Sequence, residues 1–255
     1  MVPVTPAFAR FLAGRSAATL QIASGISTPR EFAGARLEHL ATRRAAGLFD
    51  FSFMGCVEVT GAGSRACLEA LQSRSLKAMA PGRMVYTFLL RDDASVLIDA
   101  TVWQVASDHY WIFVGRRSDV AHISAAADGY DVVLADRSRQ LAVMALQGPA
   151  CRPILDRVFG TEVVTALPYF GFTRRGFAGA DCWVARIGYA GEAGYELVIA
   201  DAAAPGLWES LLAAGENYGL RECGFDTIDT LRIEAGHLLF SRELASPVRG
   251  VLKVV

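Results

Sequence analysis

Asp99 is a carboxylate within a strongly apolar segment, residues 96–103 (VLIDATVW). Moving a charged group into apolar surroundings costs free energy unless the group is paired, and burial raises the pKa of a carboxyl group. Asp99 therefore either faces solvent from one side of a strand or lies in a cleft with a perturbed pKa. The second alternative makes it a candidate functional residue, and the sequence alone leaves both open.

Two further charged residues lie in segments of unusual composition. Glu192 lies in residues 188–195 (GYAGEAGY), where three glycines make a tight turn whose backbone a ligand can approach closely. A plain glycine-rich hairpin explains the same pattern. Arg232 lies in residues 229–236 (DTLRIEAG), an amphipathic helical turn. There it can pair with Asp229 at i, i+3, which is the alternative to a role in ligand binding.

Other chemistries have weaker support in the sequence. Residues 61–66 (GAGSRA) match the outline of a dinucleotide-binding turn, but the next strand leads into a hairpin rather than into a parallel strand that carries an acid. No G-x-S-x-G elbow is present, and the four histidines lack an evident acidic partner. The five cysteines are widely spaced, which predicts buried free thiols and neither a disulfide framework nor a metal site.

Composition restricts the class of protein further. The chain has 255 residues, of which 53% are hydrophobic and 20% charged, so it can bury a substantial core. A formal net charge of -1 argues against a nucleic-acid partner, which would require a basic excess. No apolar run approaches the roughly 20 residues that span a bilayer. We expect a protein of the cytoplasm without a membrane partner.

The elements that must position these residues follow from local patterns. Residues 28–31 (TPRE) predict a helix start with a capping box, and the helix should end near Gly47. Residues 84–90, 98–105 and 110–114 predict three strands with short connections. Such strands must be antiparallel, because a parallel crossover needs a dozen residues or more. With helices predicted at 205–214 and 226–235, the fold class is α+β.

Several segments, in the same order along the chain, resemble the glycine-cleavage T-protein family of folate-dependent aminomethyltransferases. They cover about residues 35 to 250 and are residues 38–39, 43, 46–55 (AGLFDFSFMG), 85–86, 98–99, 146–149 (LQGP), 188–196 and 229–236. The resemblance implies two interleaved subdomains of antiparallel sheet flanked by helices, with folate bound between them. Residues 1–54 and 137–255 would form the first subdomain, and the inserted residues 55–136 the second.

The resemblance also implies an activity, namely the transfer of an aminomethyl or methyl group to tetrahydrofolate. The partners would be tetrahydrofolate as acceptor and a small-molecule donor or a carrier protein, with no metal. Glu192 and Arg232 match the positions for pterin recognition. A carboxylate can accept the adjacent N–H and amino groups of a pterin as a bidentate pair. The guanidinium of Arg232 can donate to the ring carbonyl or hold Glu192 in place.

The resemblance implies that the remaining predicted site residues line the folate cleft. Met54 and Tyr86 match family positions in its wall, and Tyr189 is a further candidate because it shares a turn with Glu192. Asp99 matches the acidic residue near the folate nitrogens and is the predicted catalytic residue. A carboxylate there can orient the folate and stabilise positive charge that develops during transfer.

The sequence also departs from the family pattern. Phe53 replaces a common histidine, Gly115 an expected asparagine, and residues 241–243 (SRE) a common Gly-Gln-Glu. The chain stops at Val255, about where a third, carboxy-terminal β-domain would begin, so we expect that domain to be lacking. The alternatives are a non-catalytic folate-binding subunit of an amine-oxidising or assembly complex, and a repurposed scaffold that binds another small molecule. The missing cysteine-containing signature disfavours the assembly factor.

Overall fold

The computed structural model describes residues 6–15, 18–22, 26–91, 93–160, 167–239 and 242–243. The helices of these residues are α1 (Ala7–Ala13), α2 (Ala35–Arg44), α3 (Ser64–Leu71), α4 (Val120–Ala125), α5 (Cys151–Phe159), α6 (Ala204–Gly215) and α7 (Phe225–Glu234). The first strands are β1 (Ala18–Ile22), β2 (Ile26–Glu31), β3 (Ala46–Asp50), β4 (Gly55–Thr60), β5 (Arg83–Leu90), β6 (Val96–Ala106) and β7 (His109–Val114). The others are β8 (Val133–Asp136), β9 (Leu141–Gln147), β10 (Phe172–Phe177), β11 (Ala180–Ala185), β12 (Gly194–Ala200) and β13 (Leu220–Cys223).

Two large sheets organise the described chain. The six-stranded sheet has the order β10-β11-β12-β9-β3-β13, in which only the β13–β3 pair is parallel. The five-stranded sheet has the order β5-β6-β7-β4-β8, and all of its neighbouring strands are antiparallel. The predicted antiparallel arrangement of β5, β6 and β7 is confirmed, as is the α+β class with helices flanking antiparallel sheets.

The six-stranded sheet separates two hydrophobic cores. One core lies between its outer face and helices α1, α5 and α6; the other joins its inner face to the five-stranded sheet. Successive side chains of a strand point to opposite faces, so β12 contributes Leu197 to the outer core and Val198 to the inner one. The inner face is therefore the one that the second sheet covers.

The predicted helix start at Thr28 is wrong. Residues 26–31 form strand β2, and the buried hydroxyl of Thr28 donates a 2.7 Å hydrogen bond to Asp50. Helix α2 begins at Ala35, and Glu38 within it serves as the acceptor for the preceding loop. Its Oε1 accepts the backbone N–H of Phe32 and Ala33 at 2.7 and 2.8 Å. The pairing of β2 with β1 is thus more favourable than the helix that the local capping pattern of residues 28–31 predicts.

Two further sequence predictions concern the whole chain. Each of the five cysteines is buried and free, as expected. All strands of the five-stranded sheet lie within residues 55–136, but one core cluster spans both sheets. The division into subdomains 1–54 with 137–255 and 55–136 stays a prediction, and part of its first portion lies outside the described residues.

Among the described helices, none is long and apolar enough to cross a membrane.

Candidate functional site

A cavity of about 560 Å³ is lined by strands of both sheets, by helix α7 and by the loops beside them. Its volume lies within the range of small-molecule sites. Five of the six residues that the sequence predicted for the site line this cavity: Met54, Tyr86, Asp99, Tyr189 and Arg232. Glu192 is not among the lining residues. The structure therefore brings together the predicted site with one exception.

The register of β5 and β6 places Asp99 in the cavity wall. Asp99 pairs with Phe88 and Thr101 with Tyr86, so all four side chains project from the same face of the sheet. The hydroxyl of Tyr86 donates a 3.1 Å hydrogen bond to Oδ2 of Asp99. Burial raises the pKa of the Asp99 carboxyl, although the hydrogen bond from Tyr86 and the charge of Arg116 act in the opposite direction. Of the two alternatives for Asp99, the cleft is the one observed.

Glu192 is not part of the cavity wall and belongs to an ion-pair network with helix α2. Arg43 Nη1 contacts Glu192 Oε1 at 3.0 Å and donates to the carbonyl oxygen of Ala190 at 2.6 Å. Its Nη2 contacts Oε2 of Glu234 in α7 at 2.5 Å. The carboxylate of Glu192 is thus neutralised away from the cavity. Glu192 therefore does not line the cavity. Its contact with Arg43 joins the turn to helix α2, and the role in pterin recognition that the resemblance implies for it stays a prediction.

The buried side chain of Gln147 lies close against two glycines of the same turn. Its Oε1 accepts the backbone N–H of Tyr189 at 3.0 Å and of Ala190 at 3.3 Å. A Cβ atom at Gly188 would lie 2.7 Å from Gln147, and one at Gly194 would lie 2.5 Å from it. A side chain at either position would displace the amide of Gln147 from the place where it accepts these two hydrogen bonds. The glycines permit the close approach of a buried amide, which in turn sets the position of Tyr189.

Tyr189 is held within the cavity by three neighbours. Its ring meets Phe51 edge-on at 6.3 Å and stacks on His237 at 5.6 Å between ring centroids. Its hydroxyl donates to the carbonyl oxygen of Leu238. Burial raises the pKa of Tyr189 and lowers that of His237, so both rings are neutral near pH 7. The pair offers a flat, uncharged surface to a ligand.

Glu196 is the functional candidate that the sequence analysis missed. It lines the cavity from the inner face of β12, where its neighbours across the sheet, Ala145 and Ala185, are both small. The residue is only 8% exposed, and no other described residue pairs with its carboxylate. Burial raises its pKa to about 7. The signal was the strand alternation that places Glu196 on the same face as Val198.

Arg232 forms the intrahelical ion pair that the sequence predicted as one alternative, and it also lines the cavity. Its Nε lies 2.8 Å from Oδ1 of Asp229, as the i, i+3 alternative predicted. Its Nη1 donates to Oε1 of Glu243 at 2.8 Å and to the carbonyl oxygen of His237 at 3.0 Å. Arg232 is 3% exposed and lines the cavity. Ser241, part of the departing segment 241–243, lies outside the described residues.

Aromatic side chains complete the wall of the cavity. Phe53, at the position where the resemblance predicted histidine, packs edge-on against Phe225 of α7 at 5.7 Å. Tyr169 is exposed at the edge and contacts Phe170, whose φ of 57° is rare for a bulky residue. Strained backbone of this kind is concentrated at binding sites. Sequence reasoning missed these positions because aromatic residues are also the usual core residues.

The turn at residues 61–66 has a structural explanation. A Cβ atom at Gly61 would lie 2.5 Å from the carbonyl oxygen of Asp131, and one at Gly63 would lie 2.9 Å from its nitrogen. The glycines thus accommodate the backbone of a neighbouring loop in place of a ligand. Among the described residues, no group of three or more His, Cys, Asp and Glu is arranged to hold a metal ion.

The two sheets, their flanking helices and this cavity define an α+β protein with a cavity of small-molecule size. Comparison with known proteins identifies its family. A model of the GCVT N-terminal domain matches residues 10–250, and the chain belongs to that family. The aminomethyltransferase of Chlorobaculum parvum is 35% identical over 238 residues, which cover 91% of this chain and 65% of that protein. The chain therefore spans about two thirds of the length of this relative.

Two solved structures are similar to the chain. The glycine cleavage system aminomethyltransferase T from Bartonella henselae is 26% identical, with a TM-score of 0.80 over 90% of this chain and 62% of that one. A chain of the heterotetrameric sarcosine oxidase from Corynebacterium sp. U-96 is 16% identical, with a TM-score of 0.52 over 74% of this chain and 94% of that one. The second likeness concerns the fold alone.

Proposed function

We propose that this chain is a tetrahydrofolate-dependent one-carbon transferase that acts on an aminomethyl or methyl group. Family membership and the aminomethyltransferase relative support the reaction class. The observation that carries the proposal is the buried carboxylate of Glu196, which lines the same cavity as Asp99 and has no partner among the described residues. A ligand with hydrogen-bond donors would offset the desolvation of this carboxylate and favour its ionised form.

The pterin ring of tetrahydrofolate has the donors that this carboxylate requires. It offers an N–H group and an amino group side by side, which Glu196 can accept as a bidentate pair. Each such charge-assisted bond contributes about 1.5–3 kcal/mol. The small neighbours Ala145 and Ala185 leave room beside the carboxylate. Pterin recognition, which the sequence assigned to Glu192, is therefore proposed for Glu196.

Arg232, Met54 and Tyr189 complete the proposed recognition of the ring. The guanidinium of Arg232 is oriented by Asp229 and Glu243 and can donate to the ring carbonyl. Met54 and the Tyr189 ring supply the apolar and aromatic walls that suit a flat heterocycle. Tetrahydrofolate, when bound, supplies the nucleophilic nitrogen that accepts the one-carbon unit.

Asp99 is proposed to act at the reacting end of the cavity. Its carboxylate can orient the folate nitrogens and stabilise positive charge that develops during transfer. Tyr86 holds Oδ2 of Asp99 at 3.1 Å and thereby sets the direction of the remaining lone pairs. The donor of the one-carbon unit is a small molecule or a carrier protein. Residues 1–54 with 137–255 and residues 55–136 are proposed as the two subdomains that enclose the ligand.

The test is calorimetry with tetrahydrofolate, followed by an assay for one-carbon folate products with amine and methyl donors. We expect the chain to bind tetrahydrofolate, and Glu196→Gln to weaken that binding at least about a hundredfold, since two charge-assisted bonds are lost. Glu192→Gln is the matched control and should bind as the wild type does. Asp99→Asn should bind but lose turnover.

The product assay also distinguishes the alternatives. Binding of tetrahydrofolate without any one-carbon product would favour a non-catalytic folate-binding subunit. If tetrahydrofolate does not bind, the proposed function is wrong and a scaffold for another small molecule is favoured. Asp99→Asn with unchanged turnover would remove Asp99 from the reaction while leaving the folate proposal in place.

A further inference from the structure

Arg74 is a cavity-lining residue whose backbone is fixed by a buried side chain. Oε1 of Gln72 accepts the backbone N–H of Arg74 at 2.7 Å and the hydroxyl of Thr87 at 2.5 Å. Nε2 of Gln72 donates to the carbonyl oxygen of Arg74. Gln72 itself is buried. A single amide therefore holds both polar backbone groups of Arg74, so this residue is presented by a rigid loop.

The same loop is hydrogen-bonded to β5, the strand that pairs with the Asp99-containing strand β6. The backbone N–H of Ser73 donates to the carbonyl oxygen of Phe88 at 3.0 Å, and Ser73 Oγ accepts the N–H of Phe88 at 3.3 Å. Phe88 is the register partner of Asp99. Arg74 is thus fixed beside β5, whereas Arg232 and Glu196 reach the cavity from α7 and from the other sheet.

Among the arginines that line the cavity, Arg74 is the one whose guanidinium is available to a ligand. Asp99, Glu196 and Asp229 line the cavity as acids, and Arg232 is already paired with two carboxylates. The Arg74 side chain is exposed, and its guanidinium forms no ion pair or hydrogen bond with any other residue in the described ranges. An anionic group of a ligand would meet repulsion elsewhere in this cavity and attraction at Arg74.

We propose that Arg74 binds a carboxylate of the ligand, and specifically a carboxylate of the glutamyl tail of tetrahydrofolate. This proposal rests on the proposed function. The pterin end of the ligand is matched by the buried Glu196, so the charged tail lies toward solvent, where Arg74 is exposed. A guanidinium presents parallel N–H groups that fit a carboxylate in a bidentate manner. A carboxylate on the one-carbon donor is the other source of the same chemistry.

The experiment compares two ligands with three proteins by calorimetry. The ligands are tetrahydrofolate and 6-methyltetrahydropterin, which has the ring but no tail; the proteins are the wild type, Arg74→Gln and Arg36→Gln. Arg36 is exposed on α2 and does not line the cavity, so it controls for the change in net charge. We expect Arg74→Gln to weaken tetrahydrofolate binding about threefold to tenfold, as suits an exposed charge pair, and to leave 6-methyltetrahydropterin unaffected.

Further readouts separate the sources of the carboxylate. For the wild type, added salt should weaken tetrahydrofolate binding, and this dependence should be smaller in Arg74→Gln. A folate with three glutamates should show at least as large an effect of the variant as tetrahydrofolate itself. If tetrahydrofolate affinity is unchanged but the KM of a carboxylate-bearing donor rises, the tail assignment is wrong and the donor supplies the carboxylate.

Two other results would overturn the proposal. An equal loss for both ligands in Arg74→Gln would show that Arg74 acts on the ring or on the fold. Unchanged affinity for both ligands together with an unchanged donor KM would remove Arg74 from recognition, although the folate function would stand. If the wild type binds neither ligand, the proposed function fails and the assignment of Arg74 fails with it.

Discussion

The hydroxyl of Tyr86 donates a 3.1 Å hydrogen bond to Oδ2 of Asp99, a residue of the neighbouring strand. This bond opposes the effect of burial on the same carboxyl group. Burial raises the pKa of Asp99, whereas a donor that stabilises the carboxylate lowers it. The pair therefore sets the pH above which the proposed catalytic residue is ionised.

Tyr86→Phe should move the acidic limb of the pH–activity profile to higher pH. The variant loses the donor that favours the carboxylate while the burial remains, so the pKa of Asp99 rises further. The measurement is turnover as a function of pH, with Tyr130→Phe as a control because Tyr130 is exposed and does not line the cavity. A limb that stays in place, or that moves to lower pH, would contradict this role of Tyr86.

Glu196→Gln should stabilise the folded protein above pH 7 while it weakens ligand binding. The folded-state pKa of Glu196 is raised to about 7, from an ordinary value of 4.5. The folded state thus binds the proton more tightly than the unfolded state, and stability falls as the pH rises from 4.5 to 7. At pH 8 the neutral glutamine should raise the free energy of unfolding by up to about 3 kcal/mol.

Two measurements check the pH dependence of Glu196. Urea unfolding at pH 4 should show little difference between Glu196→Gln and the wild type, because the carboxyl group is mostly protonated in both the folded and the unfolded state there. Tetrahydrofolate affinity of the wild type should fall as the pH drops below about 7, since the ligand requires the ionised acceptor. The same stability gain in Glu192→Gln would show that the effect does not come from the cavity.

Gln147→Ala should destabilise the protein by about 2–4 kcal/mol and weaken tetrahydrofolate binding. The change leaves the backbone N–H groups of Tyr189 and Ala190 without their acceptor and creates a void beside two glycines. Gln140→Ala is the control, because Gln140 is exposed, and it should change stability by less than about 0.5 kcal/mol. Comparable losses in both variants would mean that Gln147 has no special role in the turn.

Glu38→Gln should lower the free energy of unfolding by about 2–4 kcal/mol. Oε1 of Glu38 accepts three backbone N–H groups, and Oε2 accepts the N–H of Gly224 at 2.8 Å and the hydroxyl of Thr227 at 2.7 Å. In glutamine, an NH2 group replaces one of the two acceptor oxygens. It would face one of these sets of N–H and O–H donors, so that donor would point at donor. The check is the urea midpoint with an unchanged m-value, relative to the exposed Glu216→Gln.

The sequence was sufficient for the class of fold and for most residues of the candidate site. The short connections between β5, β6 and β7 require antiparallel pairing, which the structure confirms. Motif resemblance identified the family and selected five residues that line the cavity. In contrast, residues 28–31 carry a local helix-start signal, and the pairing of β2 with β1 outweighs it.

Only the tertiary structure shows that Glu196 lines the cavity and that Glu192 does not. Both carboxylates lie in the same short segment, and local sequence does not show which face of a sheet will be covered. Glu192 forms an ion pair with Arg43, which lies 149 positions earlier in the chain. Glu196, in contrast, projects from the face of the sheet that the second sheet covers. Residue type and spacing therefore determined which groups are available for chemistry. Long-range packing determined which of them share a cavity, because burial and charge pairing depend on residues distant in the chain.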